Sequence, residues 1–383
     1  MFRKILIIIM VLMMILFSAA SAVAAEGVIT STKSHILMDY STGIIVSEEN
    51  SKLSLDVAGI TKVMTLLIIF EEIEKGSLKL DENITISKKA ASMGGTQVFL
   101  RANKSYRAED LIRSIIIASA NDSSFALAER ISGSHESFVD KMNDKAKKLG
   151  LVQTVFTNAT GLPCESQKTC AYDMAITARE LLKHELFFAY SDVYMDEFSH
   201  PDGEYTEMVN ANKLIRFYDG ADGVATGSSK EAGYCLVATT KKGMSRYIYV
   251  SFGSKNSSER FDDAKNILDY GFNNFKTKRI VKENQIVKKD VDIDEAEVKS
   301  INLYASKEAN ILIMNGEEQK ISTRIELIEP LSAPIVKGQK CGELIIESEG
   351  EVVEKVDIVA GRDVAKKSYR IALMKILNAW VFK

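Results

Sequence analysis

Residues 57–65 read Val-Ala-Gly-Ile-Thr-Lys-Val-Met-Thr, and the interpretation of the whole chain starts from this stretch. Apolar residues then recur at intervals of three to four, at Val63, Leu66, Leu67, Phe70 and Ile73. This spacing predicts a helix over 61–75, which Gly76 ends. Gly59 and Lys62 are three residues apart and therefore lie about one turn from each other at the start of that helix.

Further short runs of note follow in the chain. They are Gly94-Gly95-Thr96-Gln97-Val98-Phe99-Leu100, Ser119-Ala120-Asn121-Asp122, Thr157-Asn158-Ala159-Thr160-Gly161-Leu162-Pro163, Ala171-Tyr172-Asp173-Met174-Ala175, Asp222-Gly223-Val224-Ala225-Thr226-Gly227 and Glu231-Ala232-Gly233-Tyr234-Cys235. The Ser119 run falls between two helical patterns within 108–131. The last two runs belong to strand-like patterns within 222–252.

In this order, the runs resemble the motifs of the penicillin-binding D-alanyl-D-alanine carboxypeptidases. Residues 57–65 are similar to the family's Ser-x-x-Lys box, Ser119-Ala120-Asn121 to its Ser-x-Asn box, and Ala225-Thr226-Gly227 to its Lys-Thr-Gly strand. One such run alone is weak, but their common order and spacing are specific. The resemblance implies an α/β protein with a β-lactamase/transpeptidase-like mixed α/β domain, followed by a β-rich domain and an amphipathic terminal helix.

The resemblance also implies roles for single residues. In the family, the serine attacks the carbonyl of the penultimate D-alanine, and the lysine of the first box sets the protonation of that serine. The serine and asparagine of the second box relay a proton and hold the peptide. The Lys-Thr-Gly strand binds the terminal carboxylate. The residues kept here are Lys62, Ser119 and Asn121, as catalytic remnants, and Thr226 and Gly227, as substrate-binding residues. Gly59 stands at the position of the nucleophile, and Ala225 stands at the position of the second lysine.

A glycine at the nucleophile position decides the functional prediction, because glycine has no side chain with which to form an acyl-enzyme. Loss of a catalytic serine costs about 10⁶ in kcat, or about 8 kcal/mol of activation free energy. Thr61 is no substitute, because two positions along a helix rotate its side chain by about 200°. We therefore expect a catalytically degenerate family member that binds peptidoglycan stem peptides or a partner protein. The alternative is an active serine-type carboxypeptidase that trims peptidoglycan.

The kept residues also have purely structural interpretations. Lys62 can be a structural lysine paired with Asn121. Ser119 and Asn121 can persist because serine and asparagine cap the following helix. Thr226 and Gly227 can simply end a strand.

The start of the chain predicts a processed, extracytoplasmic protein. Arg3 and Lys4 precede an apolar run and a small-residue cleavage site, so residues 1–25 are predicted to be a signal peptide; the alternative is an uncleaved anchor.

A net charge of −3 gives no reason to expect nucleic-acid binding. The four histidines lack metal-ligand spacing, so we expect no metal and no cofactor. A disulfide between Cys164 and Cys170 is plausible in an oxidising compartment, whereas Cys235 is expected to be buried.

The predicted domains are 26–276, similar to the carboxypeptidases, and 277–362, which is rich in short alternating strands. Residues 363–383 are basic and amphipathic, with Trp380 on the apolar face. Such a helix favours binding to the outer face of the cytoplasmic membrane. The alternative is a terminal helix packed on the β-rich domain.

Overall fold

The computed structural model describes residues 30–367, and its strands and helices within that range are as follows. The strands are β1 (Ser34–Asp39), β2 (Ile45–Glu49), β3 (Leu55–Asp56), β4 (Asn83–Thr85), β5 (Ser105–Arg107), β6 (Lys168–Thr169), β7 (Met195–Ser199), β8 (Tyr205–Val209), β9 (Ala221–Ser229), β10 (Gly233–Lys242), β11 (Ser245–Ser254), β12 (Phe275–Val281), β13 (Ile286–Asp292), β14 (Ser300–Ala305), β15 (Ala309–Met314), β16 (Ile321–Leu327), β17 (Lys340–Ser348) and β18 (Glu351–Ala360). The α-helices are α1 (Lys62–Glu74), α2 (Lys88–Ala91), α3 (Ala108–Ala118), α4 (Asn121–Ser132), α5 (His135–Lys148), α6 (Ala171–Leu181), α7 (Phe188–Ser191), α8 (Leu214–Phe217) and α9 (Ser257–Asn274).

An antiparallel five-stranded sheet, in the order β2-β1-β11-β10-β9, organises the first two thirds of the chain. Every residue of β11 is buried, because α6 and α9 both pack against it. Strand β9 is an edge of this sheet and pairs with β10, with Ala225 opposite Val237 and Gly227 opposite Cys235. The run that resembles Lys-Thr-Gly therefore lies on an edge strand, and it contacts the turn at Gly59 instead of a further strand.

Helix α1 lies in the centre of the helical layer. Its residues from Lys62 to Phe70 are all buried, which is typical of a helix surrounded by other elements. It packs mainly against α6 and also against α4. The predicted helix over 61–75 is thus confirmed as Lys62–Glu74, and the two helices predicted within 108–131 are confirmed as α3 and α4.

The last third of the described chain is built from strands β12–β18. Five of them form an antiparallel sheet in the order β13-β14-β18-β17-β16, and β12 pairs with β15. Their apolar side chains form a second core, separate from that of the first sheet. The fold is therefore a mixed α/β part followed by a β-rich part, as the sequence predicts, while the domain boundaries at 276 and 362 stay a prediction.

The predicted signal peptide at 1–25 and residues 368–383 of the predicted terminal helix lie outside the described residues. Among the helices of residues 30–367, none has the length and apolar character needed to cross a membrane.

Candidate active site

Gly59 lies in a tight turn at the entrance to α1. Residues Gly59–Thr61 form a 3₁₀ turn, and α1 begins at Lys62. Thr61 is fully buried; its hydroxyl donates to the carbonyl oxygen of Ala58 at 3.0 Å and accepts from the Gln167 amide at 3.2 Å. The Thr61 hydroxyl therefore forms its hydrogen bonds inside the protein and is not exposed to a ligand.

Backbone from two other segments closes around Gly59. A β-carbon built on Gly59 would lie 2.9 Å from the carbonyl oxygen of Thr226 and 3.5 Å from both the Ser119 Oγ and the Gly227 Cα. A β-carbon built on Gly161 would lie 2.9 Å from the Gly59 Cα. The structure thus brings Gly59, Ser119, Thr226 and Gly227 together at one point, and leaves no room for a side chain at position 59 without movement of backbone.

Lys62 is 3% exposed, and its ammonium group donates to the carbonyl oxygen of Thr160 at 2.6 Å. Burial lowers the pKa of Lys62 to about 7, opposed by the nearby carboxylate of Asp122. A hydrogen-bonded amine with this pKa is neutral in a large fraction of molecules at neutral pH, which suits proton transfer. The partner of Lys62 is a backbone carbonyl, whereas the structural interpretation made from the sequence paired it with Asn121.

Ser119 joins α3 to α4 in a left-handed conformation with φ of 58°. Its amide donates to the carbonyl oxygen of Ile115 at 3.1 Å, which ends α3. The residue preceding α4 is Ala120, and no side chain caps that helix. Helix capping therefore does not explain Ser119, whose hydroxyl faces the site at Gly59 instead.

Asn121 and Asp122 bind the segment 94–100 to the start of α4. The side-chain amide of Asn121 donates to the carbonyl oxygen of Gly94 at 2.8 Å, and its backbone amide donates to that of Thr96 at 2.8 Å. The fully buried Asp122 carboxylate accepts from the backbone amides on both sides of Phe99, and burial raises its pKa. The run at 94–100 and the run at 119–122 thus form one unit.

Strand β9 supplies the opposite wall. A β-carbon built on Gly227 would lie 2.5 Å from the amide nitrogen of Gly59 and 2.9 Å from that of Ile60, so only glycine permits this approach. Ala225 adds no charge. The buried cation behind this wall is Arg260, which donates to the carbonyl oxygens of Gly227 at 3.3 Å and Cys235 at 3.1 Å; burial lowers its pKa to about 10.

Thr160, Asp122 and Arg260 were not among the residues predicted from the sequence. Thr160 acts through a backbone carbonyl, which leaves no signal in residue identity. Asp122 is the last residue of the Ser119 run, so its position next to Asn121 was the available signal. Arg260 is 33 residues from Gly227, and nothing in the local pattern connects the two.

A cavity of about 410 Å³ is lined by residues that flank the site in the chain, and none of the site residues named above lines it. Its lining residues are Asp56, Val57, Pro163, Cys164, Glu165, Lys168, Ser229 and Glu231.

Cys164 is exposed and Cys170 is buried, and both thiols are free, so the structure does not contain the disulfide considered from the sequence. Cys235 is fully buried, as predicted. Among residues 30–367, no three His, Cys, Asp or Glu side chains are grouped so that they could hold a metal ion.

Three features define the class of penicillin-binding, transpeptidase-like proteins. They are the five-stranded sheet, the buried Lys62 at the start of α1, and Ser119 between α3 and α4. Comparison with known protein families supports this class. The family model for D-alanyl-D-alanine carboxypeptidase matches residues 20–256, and the family model for the penicillin-binding protein 5 C-terminal domain matches residues 275–366. The chain belongs to the D-alanyl-D-alanine carboxypeptidase family.

Individual relatives support this membership over nearly the whole chain. The chain is 40% identical over 349 residues to D-alanyl-D-alanine carboxypeptidase DacF of Bacillus subtilis, covering 91% of this chain and 90% of the relative. It is 31% identical over 369 residues to DacC of Escherichia coli, covering 92% and 90%. The structure of penicillin-binding protein 5 from Haemophilus influenzae matches with a TM-score of 0.77 and 28% identity, over 90% of this chain and all of that one.

Proposed function

We propose that this protein is a catalytically inactive member of its family that acts at the cell envelope by binding the D-Ala-D-Ala end of peptidoglycan stem peptides. The observation that carries the proposal is Gly59. The position that faces the Ser119 hydroxyl offers no atom that can attack a carbonyl, and the Thr226 carbonyl oxygen occupies the adjacent space. Since the family reaction needs a covalent bond to a side chain at this point, the reaction is lost.

The groups around Gly59 support a role in binding. The Ser119 hydroxyl, the Asn121 amide and the Thr226 side chain are short polar groups that can hold a peptide. In the structure, the Asn121 amide is bonded to the Gly94 carbonyl oxygen. A bound peptide has to compete with that contact, which lowers its affinity.

Ala225 weakens the binding of a terminal carboxylate. Loss of one partner of a buried, hydrogen-bonded charge pair costs roughly 2–5 kcal/mol. Arg260 does not replace that cation at the ligand side, because its guanidinium faces the backbone of β9 and β10 and is 6% exposed. We therefore expect weak, non-covalent binding of stem peptides, in the high micromolar range or above.

The predicted signal peptide and the basic terminal segment support a function outside the cytoplasmic membrane, on its outer face. There the protein meets uncrosslinked stem peptides, and a binding protein needs neither a cofactor nor a metal.

The second candidate function is an active serine-type D-Ala-D-Ala carboxypeptidase. The observation that favours it is Lys62, because a pKa of about 7 equips this amine to act as a base. The Ser119 hydroxyl is the candidate nucleophile for such an enzyme, since its oxygen lies 3.5 Å from a β-carbon built on Gly59.

Two assays with one peptide separate the candidates. Release of D-alanine from an acetylated Lys-D-Ala-D-Ala peptide measures catalysis, and NMR titration with the same peptide measures binding. We expect no release, but saturable shifts that weaken in the isosteric variant Thr226→Val and are absent with the L-Ala-L-Ala peptide. D-alanine release that Ser119→Ala abolishes would establish the second candidate, and no shifts with either peptide would refute the binding role.

A further inference from the structure

Within residues 30–367, no strand pairs with the outer edge of β16 in the second sheet. Strand β16 pairs with β17 and lies at the end of the order β13-β14-β18-β17-β16. Residues 322–326 are all exposed, although they belong to a regular strand. An edge strand of this kind presents unpaired backbone amides and carbonyls to any strand that approaches it.

One face of β16 carries an apolar row that stops at this edge. Ile325 lies opposite Leu344 of β17, and Leu344 lies opposite Val356 of β18. Leu344 and Val356 belong to the core, at 6% and 0% exposure, whereas Ile325 is 38% exposed. The apolar row is therefore buried at Leu344 and Val356 and partly exposed to solvent at Ile325.

The other face of β16 carries one charge of each sign, two residues apart. Arg324 pairs with Glu326 on the same strand, and its Nε donates to Glu347 of β17 at 2.8 Å. The side chains of Arg324 and Glu326 are 46% and 56% exposed. Both side chains are thus exposed enough to reach a strand added at the edge, although a new pair there has to compete with the pair between Arg324 and Glu326.

From the apolar row and the charges together, we propose that two copies of this protein pair through β16, antiparallel, about a two-fold axis at Ile325. Opposite residues in such a pair have numbers that are symmetric about 325. Ile325 then meets Ile325 of the second copy and extends the apolar row across both sheets. Arg324 meets Glu326 of the second copy, and the symmetry repeats this pair, so both cross-strand pairs carry opposite charges.

Neighbouring registers lack this match. An axis at Arg324 or at Glu326 places like charges directly opposite each other, which is destabilising. A shift of the pairing by a single residue exchanges the two faces of the strand. Ile325 then lies opposite Arg324 or Glu326 of the second copy. The self-complementary register singles out a second copy as the occupant.

The interface is small, because two seven-residue strands bury less than the roughly 1,200 Å² of stable complexes. We therefore expect reversible dimers with a micromolar dissociation constant. This inference does not depend on whether the protein is catalytic.

Sedimentation equilibrium of the protein without residues 1–25 measures the dissociation constant, and charge exchange tests the register. We expect Arg324→Glu to weaken the dimer by about tenfold or more, since both cross-strand pairs become repulsive. The double variant Arg324→Glu with Glu326→Arg restores opposite charges in both pairs and is expected to restore most of the affinity. Circular dichroism of each variant confirms that the fold is kept.

Disulfide trapping gives an independent measurement. In a Cys164→Ser background, Ile325→Cys places two thiols opposite each other, with β-carbons about 4.5–5.5 Å apart. The matched control Thr323→Cys places its thiols roughly 13 Å apart along the strand. Mild oxidation is expected to link the first variant and not the second. A protein that stays monomeric up to about 1 mM, a dimer unaffected by Arg324→Glu, or equal linking at both positions would overturn the proposal.

Discussion

Gly59 and Thr226 approach each other so closely that a β-carbon at position 59 would lie 2.9 Å from the Thr226 carbonyl oxygen. Non-bonded carbon and oxygen atoms do not approach to that distance without repulsion, and the oxygen belongs to backbone that a sheet holds in place. Gly59 offers no side chain at this point, and β9 lies where the β-carbon of any other residue would need space. This relationship connects the substitution in the sequence to the shape of the cleft.

The first prediction concerns the stability of variants at Gly59. We expect both Gly59→Ala and Gly59→Ser to destabilise the protein by about 1–3 kcal/mol, since each forces β9 to move. The matched control is Gly94→Ala, because nothing lies within 4 Å of a β-carbon at Gly94. Thermal denaturation measures all three variants. If the Gly59 variants are as stable as the control, then β9 does not restrict this position.

The second prediction concerns pH and Lys62. The pKa of Lys62 is about 7 in the folded protein, against an ordinary value of 10.5. Between these values the unfolded chain binds more protons than the folded one, so Lys62 makes stability rise with pH across that window. The full difference corresponds to roughly 5 kcal/mol. We expect the free energy of unfolding, measured by urea at pH 7 and pH 9.5, to rise less in Lys62→Met than in the parent protein. An equal rise in both proteins would show that Lys62 is protonated when folded.

The third prediction concerns strain at Phe99. This residue has φ of 63° and a side chain that is 61% exposed, held there by the Asp122 carboxylate that binds the amides on both sides. A left-handed conformation costs a bulky residue roughly 1–2 kcal/mol. We expect Phe99→Gly to raise the free energy of unfolding by about 0.5–1 kcal/mol, after allowance for the entropy of glycine. Asn103→Gly, also at positive φ, is the control and is expected to gain less, because asparagine tolerates this conformation. A loss of stability in Phe99→Gly would mean that the phenyl ring makes a net stabilising contact.

The fourth prediction concerns the thiols. Cys164 is exposed, while Cys170, Cys235 and Cys341 are buried. We expect one thiol to react with a colorimetric disulfide reagent in the native protein and four to react after denaturation. Peptide mapping is expected to place the native reaction at Cys164. No reactive thiol in protein purified from an oxidising compartment would instead support a bond between Cys164 and Cys170.

The fold was predictable because its signals are local and ordered. The periodicity of Val63, Leu66 and Phe70 predicts α1, and the alternating strands after residue 277 predict the β-rich part. The order of the short runs then selects one family. What the sequence could not provide are contacts made by backbone atoms, such as the Thr160 carbonyl that binds Lys62 and the Thr226 carbonyl that lies over Gly59.

The roles that the sequence assigns to the residues of the candidate site stay a prediction, while the structure gives their contacts. Gly59, Ser119, Thr226 and Gly227 lie together, and the Asn121 amide binds Gly94 rather than Lys62. That contact depends on how the segment 94–100 packs on α4, which no spacing rule encodes. The close packing of backbone around position 59 depends likewise on three glycines, at 59, 161 and 227, from separate parts of the chain.

Restoring chemistry tests how much of the machinery is still in place. We expect Gly59→Ser alone to bind penicillin covalently little or not at all, since Ala225 leaves the ligand carboxylate without a cation. The double variant Gly59→Ser with Ala225→Lys supplies both missing groups beside Lys62 and Ser119, and is expected to regain labelling. No adduct on the double variant would show that the closure by β9 prevents the reaction even when the missing groups are present.

The most direct test of the central claim is the intact mass of the unmodified protein after exposure to penicillin. Family chemistry needs a covalent bond to a side-chain oxygen at position 59, and glycine has none. We expect the mass to remain that of the free protein under conditions in which an active family member is fully labelled. A stoichiometric increase equal to the mass of one penicillin would contradict the account, and peptide mapping would then identify the side chain that took the place of the missing serine.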